Sequence, residues 1–274
     1  MKITNLLKRV LGKGTPIIKL TINRLPSNSR FVGKTVLVSG GSSGIGLEIA
    51  KEFLEEGAKV IITGRNKTRL NETKEIFDND NLSVITWDVA DVKILEEKFA
   101  EMLETAGKID IFVNNAGVYE SSPWNEIREI EFNRVNDINC KGLFFMCQKE
   151  GDYFLSKGIK GRIVNICSIA GIKSGFDSYS VSKWGSVCIT KGLAKTLASK
   201  GIVVNGIAPG NVVTNIHNGY AGKDVTENAY EPAHLTKRFT TVEEIASMVL
   251  YLSSDMATNI IGQIIAIDGG WTLN

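Results

Sequence analysis

Thr35-Val-Leu-Val-Ser39-Gly40-Gly-Ser-Ser-Gly44-Ile-Gly46-Leu-Glu-Ile-Ala-Lys-Glu-Phe-Leu54 decides the fold. A short apolar run rich in β-formers enters a glycine turn, and a helical pattern leaves it. Glycine lets a chain turn sharply and lets its backbone approach a ligand closely. The helix that follows aims free N–H groups and the positive end of its dipole at the turn. Strand, turn and helix together predict a pyrophosphate site at Gly40, Gly44 and Gly46, with Ser42, Ser43 and Ile45 in the same turn.

Outward from that unit, the pattern repeats. Further β-rich runs fall at 59–63, 83–87, 109–114, 162–168, 202–207 and 263–267. Helical patterns fall at 44–56, 67–78, 91–106, 127–157, 178–199 and 241–253. Most of the strands are near-continuously apolar, as strands buried on both faces are. The alternation predicts an α/β fold: one Rossmann-type, doubly wound parallel sheet of about seven strands with helices on both faces. It occupies residues 34–274, and residues 1–33 form a basic amino-terminal extension.

The chain has 274 residues, of which 43% are hydrophobic, enough for a large core. A net charge of +2 offers no electrostatic case for nucleic acid. Four cysteines without a C-x-x-C pair, and two histidines, leave no basis for a zinc site. That cysteine usage suits a reducing, cytoplasmic compartment. Residues 1–34 carry eight Lys/Arg residues, among them Lys8 and Arg9, and Ile3, Leu6, Leu7, Val10 and Leu11 have helical spacing. The extension packs on its own protein or a partner subunit, or rests as a basic amphipathic helix on anionic lipid, which makes residues 1–30 a candidate peripheral membrane contact.

The second strand ends Thr63-Gly64-Arg65-Asn66. An acidic residue at this tip would bind a ribose 2′-hydroxyl and select NAD. Arg65 instead offers a guanidinium that pairs with a 2′-phosphate, which predicts NADP(H). Tyr179-Ser-Val-Ser-Lys183 opens a helix and sets a phenol and an ammonium on one face. An ammonium near a phenol favours the phenolate, so such a pair can exchange protons near neutral pH. Ser168 ends an apolar strand on the same edge of the sheet as the glycine turn, where its hydroxyl can hold a carbonyl or alcohol oxygen beside Tyr179.

The blocks SGGSSGIG (39–46), NNAG (114–117), Asn139, Ser168, YSVSK (179–183) and PGNVVT (209–214), in this order, resemble the short-chain dehydrogenases/reductases over about residues 33 to 274. The likeness is to a 3-oxoacyl-reductase-like member. It implies an NADP(H)-dependent oxidoreductase that interconverts a carbonyl and a secondary alcohol of a small molecule by hydride transfer. Tyr179 is then the general acid/base, with Ser168, Lys183 and Asn139 beside it; Asn139 holds a water in a proton relay to Lys183. Asp88, next to Val89, would contact adenine. Asn115, Ala116 and Gly117 would border the adenine ribose, and Lys183 the nicotinamide ribose. Pro209, Gly210, Val212 and Thr214 would hold the nicotinamide end. Residues 215–237, with His217, Tyr220, Tyr230 and His234, look like the family's substrate lid. A homodimer or homotetramer built on the helices near 127–157 and 178–199 is also implied. Ser168 and Tyr179 stand 11 positions apart, a little closer than the family's usual spacing, so the intervening pocket loop is short. Other readings are an NAD-dependent alcohol dehydrogenase working in oxidation, a catalytically silent NADP-binding sensor, and a membrane-associated assembly protein. The intact set of Asn139, Ser168, Tyr179 and Lys183 speaks against a silent protein.

Overall fold

The computed structural model describes residues 29–120, 122–212 and 230–273. The expectations for residues 1–28, and those for Thr214, His217 and Tyr220, fall outside the described residues.

Alternation along each strand builds the architecture. In β1 (Thr35–Ser39), Val36 and Val38 join one buried cluster and Leu37 joins the other. In β2 (Lys59–Gly64), Val60 and Ile62 face the first and Ile61 the second. Successive side chains leave opposite faces of a strand, so both faces of this sheet carry a core. One core lies under α1 (Gly44–Glu55) and α7 (Val242–Ser253), with Ile49, Phe53, Ile245 and Val249 buried. The opposite core takes Phe99 and Met102 of α3 (Leu95–Ala106) and Met146 and Phe154 of α5 (Leu143–Lys157). The packing reaches back before β1: Phe31 is buried, and its ring meets Phe53 edge-on at 4.8 Å.

The remaining elements are α2 (Lys67–Phe77), β3 (Leu82–Thr86), β4 (Ile111–Asn114), α4 (Glu129–Asn136), β5 (Arg162–Ile166), α6 (Ser178–Leu197), β6 (Val203–Pro209) and β7 (Ile264–Ile267). The seven strands run in the order β3-β2-β1-β4-β5-β6-β7, and every adjacent pair is parallel. This is the expected doubly wound sheet. The chain winds outward from β1 to β3, then returns past β1 to begin β4. Connections therefore diverge between the carboxyl ends of β1 and β4 and open a crevice there.

Two expectations need correction. The single helix over 127–157 is interrupted: α4 and α5 are separated by a π-helical segment, Asp137–Gly142. The segment contains Asn139, whose carboxamide bonds outside the helix. It also presses on the loop after β3, because a Cβ at Gly142 would lie 2.4 Å from the Val89 carbonyl oxygen. Such a segment adds a residue to the turn and re-aims its side chains. The strand expected over 162–168 ends at Ile166, and Ser168 becomes the cap of a 3-10 turn, Ile169–Gly171. Among the described residues, no helix is long and apolar enough to cross a membrane.

Candidate active site

The glycine turn is shaped by what its residues lack. Gly40 has φ +67° and Gly44 has φ +54°, in the left-handed region that side chains disfavour. A Cβ at Gly46 would lie 2.4 Å from the Gly40 carbonyl oxygen and 2.4 Å from Asn115 Nδ2. Asn115 ties the turn to the end of β4: Nδ2 donates to the Ser39 and Gly40 carbonyls at 3.0 and 3.1 Å. The backbone N–H groups of Asn115 and Ala116 both donate to Ser39 Oγ. Asn66, Asp177 and Thr241 cap α2, α6 and α7 with their side chains, whereas Ser43 makes no side-chain cap on α1. The first N–H groups of α1 are thus left to whatever enters the turn.

In front of the turn lies a cleft of about 500 Å³. Gly40, Ser42, Ser43, Gly44 and Ile45 line one wall, and Asn115, Ala116 and Gly117 another. Asp88 and Val89 contribute from the end of β3, with Asp88 Oδ1 accepting the Ala90 N–H at 3.0 Å. At the β2 end stand Arg65 and, one residue type the sequence reading passed over, Arg69. Both are exposed. Arg69 lies in the first turn of α2, whose cap, Asn66 Oδ1, accepts the Arg69 N–H at 3.0 Å. Its signal was a second arginine four positions after the first. Thr63 was also missed. It lines the cleft, is fully buried, and its Oγ1 has no hydrogen-bond partner among the described residues.

The reactive pair sits on α6, which Asp177 starts by accepting the Ser180 N–H at 2.8 Å. Lys183 is buried; its Nζ donates to the Ile166 carbonyl at the end of β5, at 3.0 Å, and lies 5.6 Å from the Tyr179 ring centroid. Tyr179 is half-buried, and Tyr119 meets it edge-on at 5.0 Å. Ser168 is buried and its Oγ accepts the Ala170 N–H at 3.2 Å. The turn it caps docks closely on α6, because a Cβ at Gly171 would lie 2.4 Å from the Lys183 carbonyl oxygen. Asn139 is clasped from both sides: Oδ1 accepts the Val118 N–H, and Nδ2 donates to the Val118 carbonyl and to Ser182 Oγ.

Cleft and pair meet at two residues. Tyr119 lines the cleft and touches Tyr179. Gly117 lines it too, and a Cβ there would lie 3.3 Å from Asn139 Oδ1 and 3.7 Å from Lys183 Nζ. Pro209, Gly210 and Val212 stand apart, at and after the end of β6. Gly210 N–H donates to the Ile267 carbonyl, and Val212 bridges to Thr240. Tyr230 and His234, expected in a lid, are part of the folded body: Tyr230 bridges to Arg238 and His234 is fully buried.

Behind the pair lies a polar network of whose side chains the quoted sequence blocks contain only Asn114. Asn114 Nδ2 donates to Glu150 Oε2 and to Asn165 Oδ1, each at 3.0 Å. Asn165 Nδ2 donates to Thr190 Oγ1 at 2.9 Å, and Thr190 to the Ser186 carbonyl. Ser186 Oγ in turn donates to the Asn139 carbonyl. Burial raises the Glu150 carboxyl to about 8, against hydrogen bonds from Asn114 and Cys147 that lower it. Burial also pushes the Cys147 and Cys167 thiols up.

Known proteins resemble this chain over most of its length. Residues 40–272 match a family model described as enoyl-(acyl carrier protein) reductase. Glucose 1-dehydrogenase of Gluconobacter oxydans is 34% identical over 253 residues, 90% of this chain and 95% of that one. The 3-oxoacyl-(acyl-carrier-protein) reductase of Chlamydia muridarum is 34% identical over 248 residues, 89% of this chain and 99% of its own. Among solved structures, a short chain dehydrogenase from Bacillus anthracis superposes with a TM-score of 0.78 at 34% identity, covering 88% of this chain and 97% of that one.

Proposed function

This chain belongs to the short-chain dehydrogenase/reductase family of oxidoreductases, and on that premise we propose that it interconverts a small-molecule carbonyl and secondary alcohol with NADP(H), using Tyr179 as general acid/base. The observation that carries this reading is the meeting of the cleft with the Tyr179–Lys183 pair at Gly117 and Tyr119.

The residues present fit a dinucleotide. The glycine-shaped turn and the uncapped start of α1 suit a pyrophosphate. Thr63 Oγ1 offers an unused polar atom inside the wall. Arg65 and Arg69 suit a 2′-phosphate. When bound, the nicotinamide supplies or accepts the hydride at the substrate carbon. In the reducing direction, Tyr179 gives its phenolic proton to the substrate oxygen, so C=O becomes CH–OH once the hydride has arrived. Ser168 hydrogen-bonds that oxygen. The Lys183 ammonium steadies the phenolate left behind. Asn139, fixed by Val118 and Ser182, orients the water through which Lys183 recovers a proton.

A panel of keto acids, keto sugars, ketosteroids and 3-oxoacyl thioesters, followed by loss of NADPH absorbance, tests the reading. At least one class is expected to be reduced; no turnover with NADPH or NADH on any of them would contradict it. Arg65→Asp is expected to shift the NADPH-to-NADH preference by about tenfold or more toward NADH. An unchanged ratio would contradict the assignment of Arg65 to the 2′-phosphate.

Two further assignments belong to this reading. Exposed Ile130, Phe132, Phe144, Phe145, Val181 and Trp184 all lie on α4, α5 and α6. A second copy of the chain would cover them, and light scattering is expected to give a dimer or tetramer. The four cysteines are unpaired, a usage suited to the cytoplasm.

A further inference from the structure

His234 is fully buried where the loop after β6 meets the segment leading to α7. Its Nδ1 lies 2.7 Å from the Arg238 carbonyl oxygen, which can only accept. Its Nε2 lies 3.1 Å from the Asn211 backbone nitrogen, which can only donate. The two contacts together require a neutral ring with its proton on Nδ1. The fit is close: a Cβ at Gly210 would lie 2.7 Å from Nε2, and one at Gly269 2.8 Å from the His234 Cβ. Trp271 packs against the ring at 5.9 Å.

We propose that His234 is a positioning residue for the loop Gly210–Asn211, its neutral imidazole holding that loop in place for the nicotinamide half of the cofactor. This rests on the reading of the cleft as a dinucleotide site and on the family resemblance that puts Pro209, Gly210 and Val212 at its nicotinamide end. A protonated ring would aim an Nε2–H at the Asn211 N–H, and an attractive contact would become a repulsive one. The charged groups around the ring are already engaged. Asp268 accepts the Gly270 and Thr272 N–H groups at 3.0 and 2.7 Å. Glu244 pairs with Arg238 at 2.6 Å and accepts the Thr241 N–H at 2.9 Å. Glu231 accepts from Asn211 Nδ2 and the Ala233 N–H, each at 2.9 Å. Lys173 stands over the far ring, 5.4 Å from the Trp271 centroid. Of these acids, Glu231 holds the Asn211 side chain and leaves its backbone N–H to His234.

The test compares binding of NADPH with binding of 2′,5′-ADP, a fragment without nicotinamide, to the full-length protein by calorimetry. The ratio of the two affinities at one pH isolates the nicotinamide half. His234→Asn reaches only as far as Nδ1 and loses the acceptor for Asn211; His234→Gln reaches Nε2 and restores it. In His234→Asn at pH 7.5 the NADPH-to-fragment ratio is expected to fall about fivefold to tenfold, the worth of one hydrogen bond, with fragment binding unchanged. In His234→Gln it is expected to stay within about threefold of the wild type. A ratio that is equal in Asn and wild type, or that falls as far in Gln as in Asn, overturns the proposal. Should the Asn variant fail to fold, the Gln variant decides alone, and a ratio more than about threefold below the wild type overturns the proposal. If the wild type binds neither NADPH nor the fragment, it is the dinucleotide reading that fails.

Discussion

The two halves of the sheet's carboxyl edge are built on opposite plans. Around the β1–β4 crevice, shape comes from missing side chains: Gly40, Gly44 and Gly46 let backbone approach backbone, and Asn115 locks the result. Around β5 and α6, shape comes from side chains that are present, buried and bonded: Lys183 to Ile166, Asn139 to Val118 and Ser182, and the run from Glu150 through Asn114, Asn165 and Thr190 to Ser186. A binding surface for a pyrophosphate needs open N–H groups, so bulk is excluded from it. A proton-transfer centre needs groups held within reach of one another, so it is braced from behind.

That contrast predicts different failures. The largest effect is expected from Gly46→Ala, where the added methyl meets a backbone carbonyl that cannot swing aside. Affinity for NADPH and NADH should both fall, by about tenfold to a hundredfold for an overpacked site of this kind. Calorimetric titration checks it, and near-normal affinity would break the claim that emptiness shapes this half.

Glu150→Gln probes the other half through stability. The unfolded chain loses this proton near pH 4.5, whereas the folded chain keeps it to about 8. Wild-type stability from this group is therefore full below about pH 4.5, and is lost progressively as pH rises to about 8, at about 1.4 kcal/mol per unit. A variant without the proton escapes that loss. Thermal denaturation at pH 5.5, 7 and 8.5 should show the Gln variant gaining on the wild type as pH rises; a pH-independent difference would show that Glu150 is charged in the fold.

The smallest effect is expected from Asp177→Ala, which removes the cap of α6 at the Ser180 N–H and Oγ. About 1 kcal/mol of stability should go, read in a urea titration. Loss of turnover without loss of stability would sharpen the account, by making Asp177 a brace for Tyr179 rather than a helix start.

The same contrast explains what was legible in the sequence. The glycine turn and the order of strands are local signals, and the seven-stranded parallel sheet followed from them. The Tyr179–Lys183 spacing is local too. The π-helical segment is not, because Asp137–Gly142 is shaped by Val118, Ser182 and Ser186, which lie far away in sequence. The Glu150 network joins α5, β4, β5 and α6; Asn114 opens the NNAG block, but nothing in the other stretches marks it. His234 reads as part of a substrate lid because neither of its backbone partners can be seen in the sequence. Arg69 was within reach of the sequence, one helical turn beyond Arg65.

The central claim is that one phenol carries the proton at the point where the two halves meet. Tyr179→Phe, titrated with NADPH and then assayed on whichever carbonyl the wild type reduces, tests it most directly. The account predicts NADPH affinity within about twofold of the wild type and turnover lower by about 10²–10⁴-fold. Turnover close to that of the wild type, with the cofactor bound, would contradict it.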